Sequence, residues 1–366
     1  MYQGRGARLA PSVPRCLAPF LGRCLTPFLR IAVAGAVVVL AGCAAPFDLQ
    51  GHRGARGLAP ENTLPAFARA LEIGVATLEL DTAITRDGVI VVGHDPAPNP
   101  DIARLDGQWI ERRGPPIHEL TFAELQRYDI GRLKPGTAYA KRYPDQVPVD
   151  GTRYARLADV FALATKAGAR HVRFNIETKV NPLAPEESLL PEEFTRRLIA
   201  EIRASGMAAR ATIQSFDWRT LQVAQHVAPD IPTVYLSAQQ KFLDTICTGV
   251  ASGSPGVAPS QCGPSPWTAS FQLRDFGSVP RMVHAAGGTI WSPEYRDIDV
   301  EKVREAHRLG LKIVVWTVND PVQIGQLLEM GVDGLISDRP DVARELLSRR
   351  GAPLPPHVPD AGRFAR

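Results

Sequence analysis

From residue 47 onward the chain repeats one alternation: a short β-branched run, a stretch of helical periodicity, then another run. The runs are FDLQGH, ATLELD, VRFNIET, ATIQSF, TVYLS, GTIWS, KIVVWTV and DGLISD. Between most of them lie LPAFARALEIG, LADVFALATKAG, PEEFTRRLIAEIRASG, DWRTLQVAQHV, DVEKVREAHRLG and PVQIGQLLEMG. Several of these end in Gly just before the next run, where a left-handed helix cap belongs. A ninth run, VIVVGH, follows the second across an Asp87-Gly88 corner. So short a corner joins only antiparallel strands, because parallel neighbours need a crossover of about a dozen residues. With VIVVGH set aside as a hairpin arm, eight βα units remain. That number predicts a (β/α)8 TIM barrel with a β-hairpin after strand two.

Two stretches exceed the bare barrel. Residues of about 95–156 read as loop-rich with one short helix near TFAELQRY, and residues of about 237–287 carry a Gly/Ser/Pro-rich segment. Both are expected as insertions at the C-terminal face of the barrel, where long loops carry specificity. The barrel domain is expected over 43–350, followed by a disordered Pro-rich tail at 351–366.

The hairpin raises a chemical question. A two-residue Asp-Gly corner pairs Arg86 with Val89, and the register continues inward through Ile84–Val91 to place Asp81 opposite His94. Glu79, two residues before Asp81, projects from the same strand face. Two converging carboxylates repel unless a proton or cation sits between them. The other strand ends supply more of the same chemistry: His52 and Arg53 after strand one, Asn175, Glu177 and Lys179 on strand three, Gln214 and Phe216 on strand four, Trp316 and Asn319 after strand seven. Function in this architecture sits at those ends. Glu79, Asp81 and Glu177 form an all-oxygen donor set suited to a hard divalent cation, Ca²⁺ favoured over Mg²⁺. Arg53 offers a planar fork for phosphate and Lys179 a second positive point. Two histidines supply a general base and a general acid. The combination describes phosphodiester cleavage.

HRGARGLAPENT, LELD, GHDP, NIETK, WTVN and VDGLISDRP, in that order, resemble the motifs of the glycerophosphodiester phosphodiesterases. LTFAELQRYDIGRL and YPDQVP resemble the exported, periplasmic-type branch, and the similarity spans roughly 50–345. The resemblance implies that His52 and His94 are the acid/base pair, that Arg53 binds phosphate, and that Glu79, Asp81 and Glu177 hold the metal. It places Glu61 and Lys179 at active-site positions. Thr178 departs from the family pattern, which more often has Ile there; its side chain should point away from the site. The implied reaction runs through a cyclic phosphate to glycerol 3-phosphate and a free alcohol. Glu61, Asn62, Thr63 and Pro65 also read as an ordinary helix start. Trp291 and Trp316 either line the pocket or pack, with Trp316 favoured for the pocket. Asp333 and Asp338 read as turn and loop residues at the last strand.

The N-terminal 42 residues carry five arginines and no acid, so without them the formal charge falls from +4 to −1. The basic balance therefore marks an export signal and not a nucleic-acid surface. The apolar run Ile31 to Ala41 is too short for a transmembrane helix, which needs about 20 residues. LAGC, ending at Cys43, resembles a bacterial lipobox. That implies lipidation of Cys43 and a lipid-anchored protein in the bacterial envelope, on the periplasmic side, with the outer membrane favoured. Cys247 and Cys262, in the second insertion, are expected to form a disulfide. The expected partners are small glycerophosphodiesters and the anchoring membrane, with no nucleic acid and no protein partner. The alternatives are a lysophospholipase D or phospholipase-type phosphodiesterase, and a surface lipoprotein that only binds a ligand.

Overall fold

The computed structural model describes residues 46–248 and 258–365. Eight strands form the barrel: β1 (Asp48–Gly51), β2 (Thr77–Ile84), β3 (Arg173–Thr178), β4 (Ala211–Ser215), β5 (Thr233–Ser237), β6 (Ile290–Pro293), β7 (Lys312–Val315) and β8 (Gly334–Ser337). Each is parallel to its sequence neighbours, and β1 pairs with both β8 and β2, so the sheet closes on itself. The crossover helices are α1 (Leu64–Ile73), α2 (Leu157–Lys166), α3 (Pro191–Ala204), α4 (Trp218–Val227), α5 (Val279–Ala285), α6 (Val300–Arg308), α7 (Pro321–Met330) and α8 (Pro340–Arg349).

Local chemistry explains the helix limits. Thr63 caps α1 by accepting from the Ala66 N–H, and Gly74, at φ +86°, closes its other end. Asp320 and Gly331 do the same for α7. These are positions where a short side-chain acceptor and a residue without Cβ satisfy the helix's orphan groups. The core lies between sheet and helices, where Leu78, Leu80, Phe174, Ile176 and Trp218 are fully or almost fully buried. Alternate strand positions point the other way, into the barrel, and there the core is polar. Gln50 donates to Asp48, Asn175 donates to both Gln50 and Gln214, and Gln214 donates to Glu79. This chain of amides runs up the barrel interior and ends on a carboxylate of the candidate site.

Four features differ from the sequence reading. The hairpin corner has three residues, Arg86–Gly88, and only Gly88 takes a positive φ (+83°). Thr85 pairs with Val89, and the ladder runs Ile84–Ile90, Ala83–Val91, Thr82–Val92, one residue out from the expected register. A two-residue corner would need positive φ at Asp87 as well. Instead the Asp87 carboxylate accepts from the Thr85 hydroxyl and the Phe122 N–H, which ties the corner to the first insertion.

That insertion is also more structured than expected. It holds a three-stranded antiparallel sheet (Arg104–Leu105, Gln108–Trp109, Tyr128–Asp129) and the short helices Phe122–Leu125 and Ala138–Arg142. A satellite core of Ala83, Val91, Ala103, Ile117, Leu125, Tyr128, Ile130 and Tyr154 joins it to the hairpin. The second insertion is shorter than 237–287, because its C-terminal part is the barrel helix α5.

The tail expected to be disordered packs under α1. Val358 donates its N–H to the Leu71 carbonyl and Ala361 is fully buried, while Arg344 donates to the Pro355 carbonyl. Buried apolar side chains and paired backbone groups offset the ordering cost that the Pro-rich composition had suggested would win. Cys43 and residues 1–42 lie outside the described residues. Among the described residues no helix is long and apolar enough to cross a membrane.

Candidate active site

The C-terminal strand ends meet over a cavity of about 200 Å³ lined by His52, Arg53, Glu79, Asp81, His94, Glu177, Lys179, Gln214, Phe216 and Trp316, among others. The residues named are all candidates from the sequence; Arg56, Leu236 and Ile336, which also line the cavity, are not. Strand register makes the acidic cluster: Asp81 and Glu177 are direct partners across β2 and β3, and Glu79 lies two residues below Asp81 on the same face. One carboxylate oxygen from each of the three lies within 4.8 Å of the others, and all three side chains are buried.

Their electrostatics show what such a cluster needs. Burial and the adjacent Asp81 charge push Glu79 well above the usual carboxylate range. Burial, and to a smaller degree Asp81, push Glu177 up to about 7. Asp81 stays well below its ordinary value in spite of burial, because Arg53, His94 and Lys179 surround it with positive charge. Two carboxylates raised by crowding around a third form a donor set that a divalent cation relieves, and its all-oxygen character fits a hard ion. The residues present therefore fit the metal the sequence implied.

Arg53 is set by the turn after β1. Gly54 takes φ +85°, and a Cβ there would meet the Ala66 backbone at 2.6 Å, so the turn packs directly on α1. The Arg53 N–H donates to Glu79 (2.9 Å), Nη1 donates to Glu61 (2.5 Å), and Nε lies 3.2 Å from Asp81. Nε is buried with no hydrogen-bond partner among the described residues, so the fork is not fully committed to protein groups. Lys179 donates to Glu177 at 2.9 Å and lies 3.7 Å from Asp81. Gln214, expected to touch substrate, lines the cavity but commits both amide ends to Glu79 and Asn175. Phe216 and Trp316 form an edge-to-face pair on one wall. Trp291 is buried beneath, its indole N–H donating to Ser237. Thr178 faces out of the barrel, where its hydroxyl meets that of Thr220.

Both histidines are held through Nδ1. His52 Nδ1 lies 2.6 Å from Asp338 Oδ1, closer than its 3.1 Å contact with Arg56 Nη2. The shorter, charge-assisted contact places the proton on Nδ1 and leaves Nε2, 4.0 Å from Glu79, as the free base. Burial, reinforced by Arg56, lowers the His52 pKa to about 4, so the ring is neutral near pH 7. His94 Nδ1 meets Asp95 at 2.9 Å, and Asp95 in turn accepts from Asn99 at 2.6 Å.

Several residues here escaped the sequence reading. Asp338, read as a loop residue, is buried and accepts from His52, from Arg56 Nε (2.8 Å) and from Asn319 Nδ2 (2.7 Å). Arg56 and His52 hold its carboxyl far below the ordinary range even though burial opposes its charge. Asn319 is thus a support for Asp338. Tyr139, from the first insertion, donates its hydroxyl to Glu61 and accepts from Arg56. Asn62, at φ +54°, donates to the Asp81 carboxylate. The signals were present, since Asp338 sits in SDRP and Arg56 and Asn62 in HRGARGLAPENT, but nothing local distinguishes them from turn residues. Glu61 is no mere helix support, because its carboxylate is shared between Arg53 and Tyr139.

Comparison with known proteins agrees with this geometry. The family model described as Glycerophosphoryl diester phosphodiesterase family matches residues 52–342. A glycerophosphodiester phosphodiesterase of Caldanaerobacter subterraneus is 26% identical over 82% of this chain and 97% of its own length. A Mycobacterium tuberculosis protein of the same name series is 30% identical over 68% of this chain and 82% of its own. A solved structure from Silicibacter pomeroyi, named for the same family, superposes with a TM-score of 0.72 at 33% identity, covering 84% of this chain and 95% of that one. The chain belongs to the glycerophosphoryl diester phosphodiesterase family.

Proposed function

We propose that the protein hydrolyses glycerophosphodiesters to glycerol 3-phosphate and an alcohol with the help of one divalent cation. The observation that carries this is the buried Glu79–Asp81–Glu177 cluster beside two histidines, each oriented through Nδ1 by its own carboxylate. The family match supports it, and a structural neighbour from Oleispira antarctica with the same fold is a phosphodiesterase solved with the product sn-glycerol-3-phosphate.

Glu79, Asp81 and Glu177 would hold a divalent cation, with Ca²⁺ favoured, which would supply Lewis-acid stabilisation of phosphoryl charge and lower the pKa of a hydroxyl beside it. The chain's own groups do the rest. Arg53 and Lys179 bind the phosphoryl oxygens. His52, neutral and with Nε2 free, takes the proton of the glycerol hydroxyl as that oxygen attacks phosphorus. The P–O bond to the alcohol breaks, and His94 returns a proton to the departing oxygen. Water then opens the cyclic phosphate by the reverse proton movements, leaving glycerol 3-phosphate.

We also infer an envelope location with a lipid at Cys43. The bond between Cys247 and Cys262 supports an oxidising compartment. The deciding experiment is glycerol 3-phosphate release from glycerophosphocholine by residues 44–366 with Ca²⁺, with Mg²⁺ and with chelator, beside His52→Ala and Glu79→Ala. Release that requires metal and is lost in both variants is expected. A folded protein that releases nothing with either ion overturns the reading.

A further inference from the structure

The cavity over the carboxylates continues into a second one of about 270 Å³, which shares His94, Glu177, Lys179, Phe216 and Trp316 with it. The rest of its wall comes from outside the catalytic motifs. Trp267 and Leu243 are contributed by the disulfide-closed insertion, Val180 by the loop after β3, and Asp95 and Glu187 add carboxylates. Three of these side chains make a corner of aromatic planes. Phe216 stands at 87° to Trp316 with centroids 5.3 Å apart, and at 75° to Trp267 with centroids 6.3 Å apart. Nothing in the reaction derived above uses Trp267.

A phosphodiester has two arms. The glycerol arm stays over the carboxylate cluster, because its hydroxyl is the nucleophile. The other arm leaves past His94, one of the residues that the two cavities share. We propose that the second cavity is the subsite for the departing alcohol and that it selects alcohols bearing a quaternary ammonium group. This rests on the glycerophosphodiester reading and deepens it.

The walls make the selection. A weakly hydrated cation gains from the π faces of such rings; Lys179 Nζ already lies 6.0 Å from the Phe216 centroid, so the indole faces of Trp267 and Trp316 carry the selection. Asp95 is held by His94 and Asn99, and Glu187 is paired with Arg113, so the rings carry the selection and not a net negative charge. Lys179, the cation on the shared wall, is already paired with Glu177. A neutral polyol can pair hydroxyls with Asn181, Ser188, Asp95 or Glu187 of the same wall, but any hydroxyl set against Trp267, Val180 or Leu243 goes unpaired, which costs free energy. A primary ammonium gives up more hydration for the same contacts.

The test compares kcat/KM for glycerophosphocholine, glycerophosphoethanolamine and glycerophosphoglycerol in the wild type, Trp267→Ala and Trp267→Phe. The choline ester is expected to lead the glycerol ester by roughly tenfold, as one good cation–π site allows. In Trp267→Ala that ratio is expected to collapse toward one, and in Trp267→Phe, which keeps a π face, to be largely retained. Equal wild-type values for the choline and glycerol esters overturn the proposal. So does a Trp267→Ala variant that slows both esters equally, since that marks a purely structural tryptophan. A calorimetric titration with tetramethylammonium chloride is independent of turnover. Saturable binding that Trp267→Ala abolishes upholds the subsite even if none of the esters is hydrolysed, in which case the hydrolase reading alone fails. Absence of binding together with absence of choline preference refutes the subsite while leaving the hydrolase reading standing.

Discussion

His52 and His94 carry the same device in differently built surroundings. Each has Nδ1 against a carboxylate and its other nitrogen free, but His52 is on the barrel and His94 is not. His52 follows β1 directly, its partner Asp338 follows β8, and the two strands are paired residue by residue up to Gly51 and Ser337. Its side chain is 12% exposed and that of Asp338 is 4% exposed. His94 comes from the bend after the hairpin, beyond the last ladder pair. Its partner is its own neighbour Asp95, and their side chains are 33% and 32% exposed. The barrel side is preorganised by strand pairing and dry packing. The hairpin side relies on a short-range contact that water can enter and on an insertion that holds the hairpin in place. The difference suits the roles proposed, a fixed base at the floor and an acid at the junction through which the alcohol leaves.

The largest effect is common to both sides. Glu79→Gln, or exhaustive chelation, is expected to lower kcat/KM by about a thousandfold, because charge stabilisation at phosphorus is lost whichever histidine acts. Steady-state assays with metal add-back check this, and a variant near wild-type rate would remove the cluster from the reaction.

The next test bears on the asymmetry itself. Asp338→Asn is expected to reduce kcat by roughly a hundredfold with little change in KM, since it leaves His52 able to adopt the wrong tautomer in a buried site. Asp95→Asn should cost only about tenfold, because solvent and Asn99 can replace part of what it does. Equal losses would show that strand-built and loop-built carboxylates are equivalent here, and the comparison would fail.

Tyr139→Phe tests how far the first insertion reaches into the barrel side. Removing the hydroxyl that bridges Glu61 and Arg56 should raise KM about threefold to tenfold, the net worth of one ordinary hydrogen bond, with kcat nearly kept. A wild-type KM would confine the insertion's influence to His94.

The smallest effect on turnover is expected from opening the disulfide. Cys247→Ser with Cys262→Ser should lower stability by about 3 kcal/mol in the chain-entropy account, measurable by denaturant unfolding. Hydrolysis of glycerophosphoglycerol should change least of all the assays, because neither cysteine touches the carboxylate cavity.

Local patterns carry local information, and the helix caps show its reach. Thr63 and Gly74 around α1 follow from nearest-neighbour chemistry, and so does the alternation that places Glu79 and Asp81 on one face. The hairpin marks the limit. The Asp87-Gly88 corner is visible in the sequence, but a two-residue and a three-residue loop differ by one residue of register. What decided between them was a hydrogen bond from Phe122, 35 positions away. His94 still reaches the site because the chain leaves the ladder at Gly93, whose N–H donates to the Asp81 carbonyl, before the shifted register could turn it away. The tail teaches the same lesson from the other end: its composition suggests disorder, and only the surface of α1 gives Val358 and Ala361 somewhere to be buried.

By itself the sequence determined the eightfold βα alternation and which side chains stand at the strand ends, because strand and helix periods are properties of neighbouring residues. The tertiary structure decided which of those side chains share a proton, a charge or a wall. Asp338 became the partner of His52 across 286 residues because closing the sheet sets β1 beside β8. Trp267 became a wall of the second cavity because the second insertion carries it to the barrel mouth beside Leu243. Such pairings depend on distances that appear only after the ring has closed, and no local period encodes them.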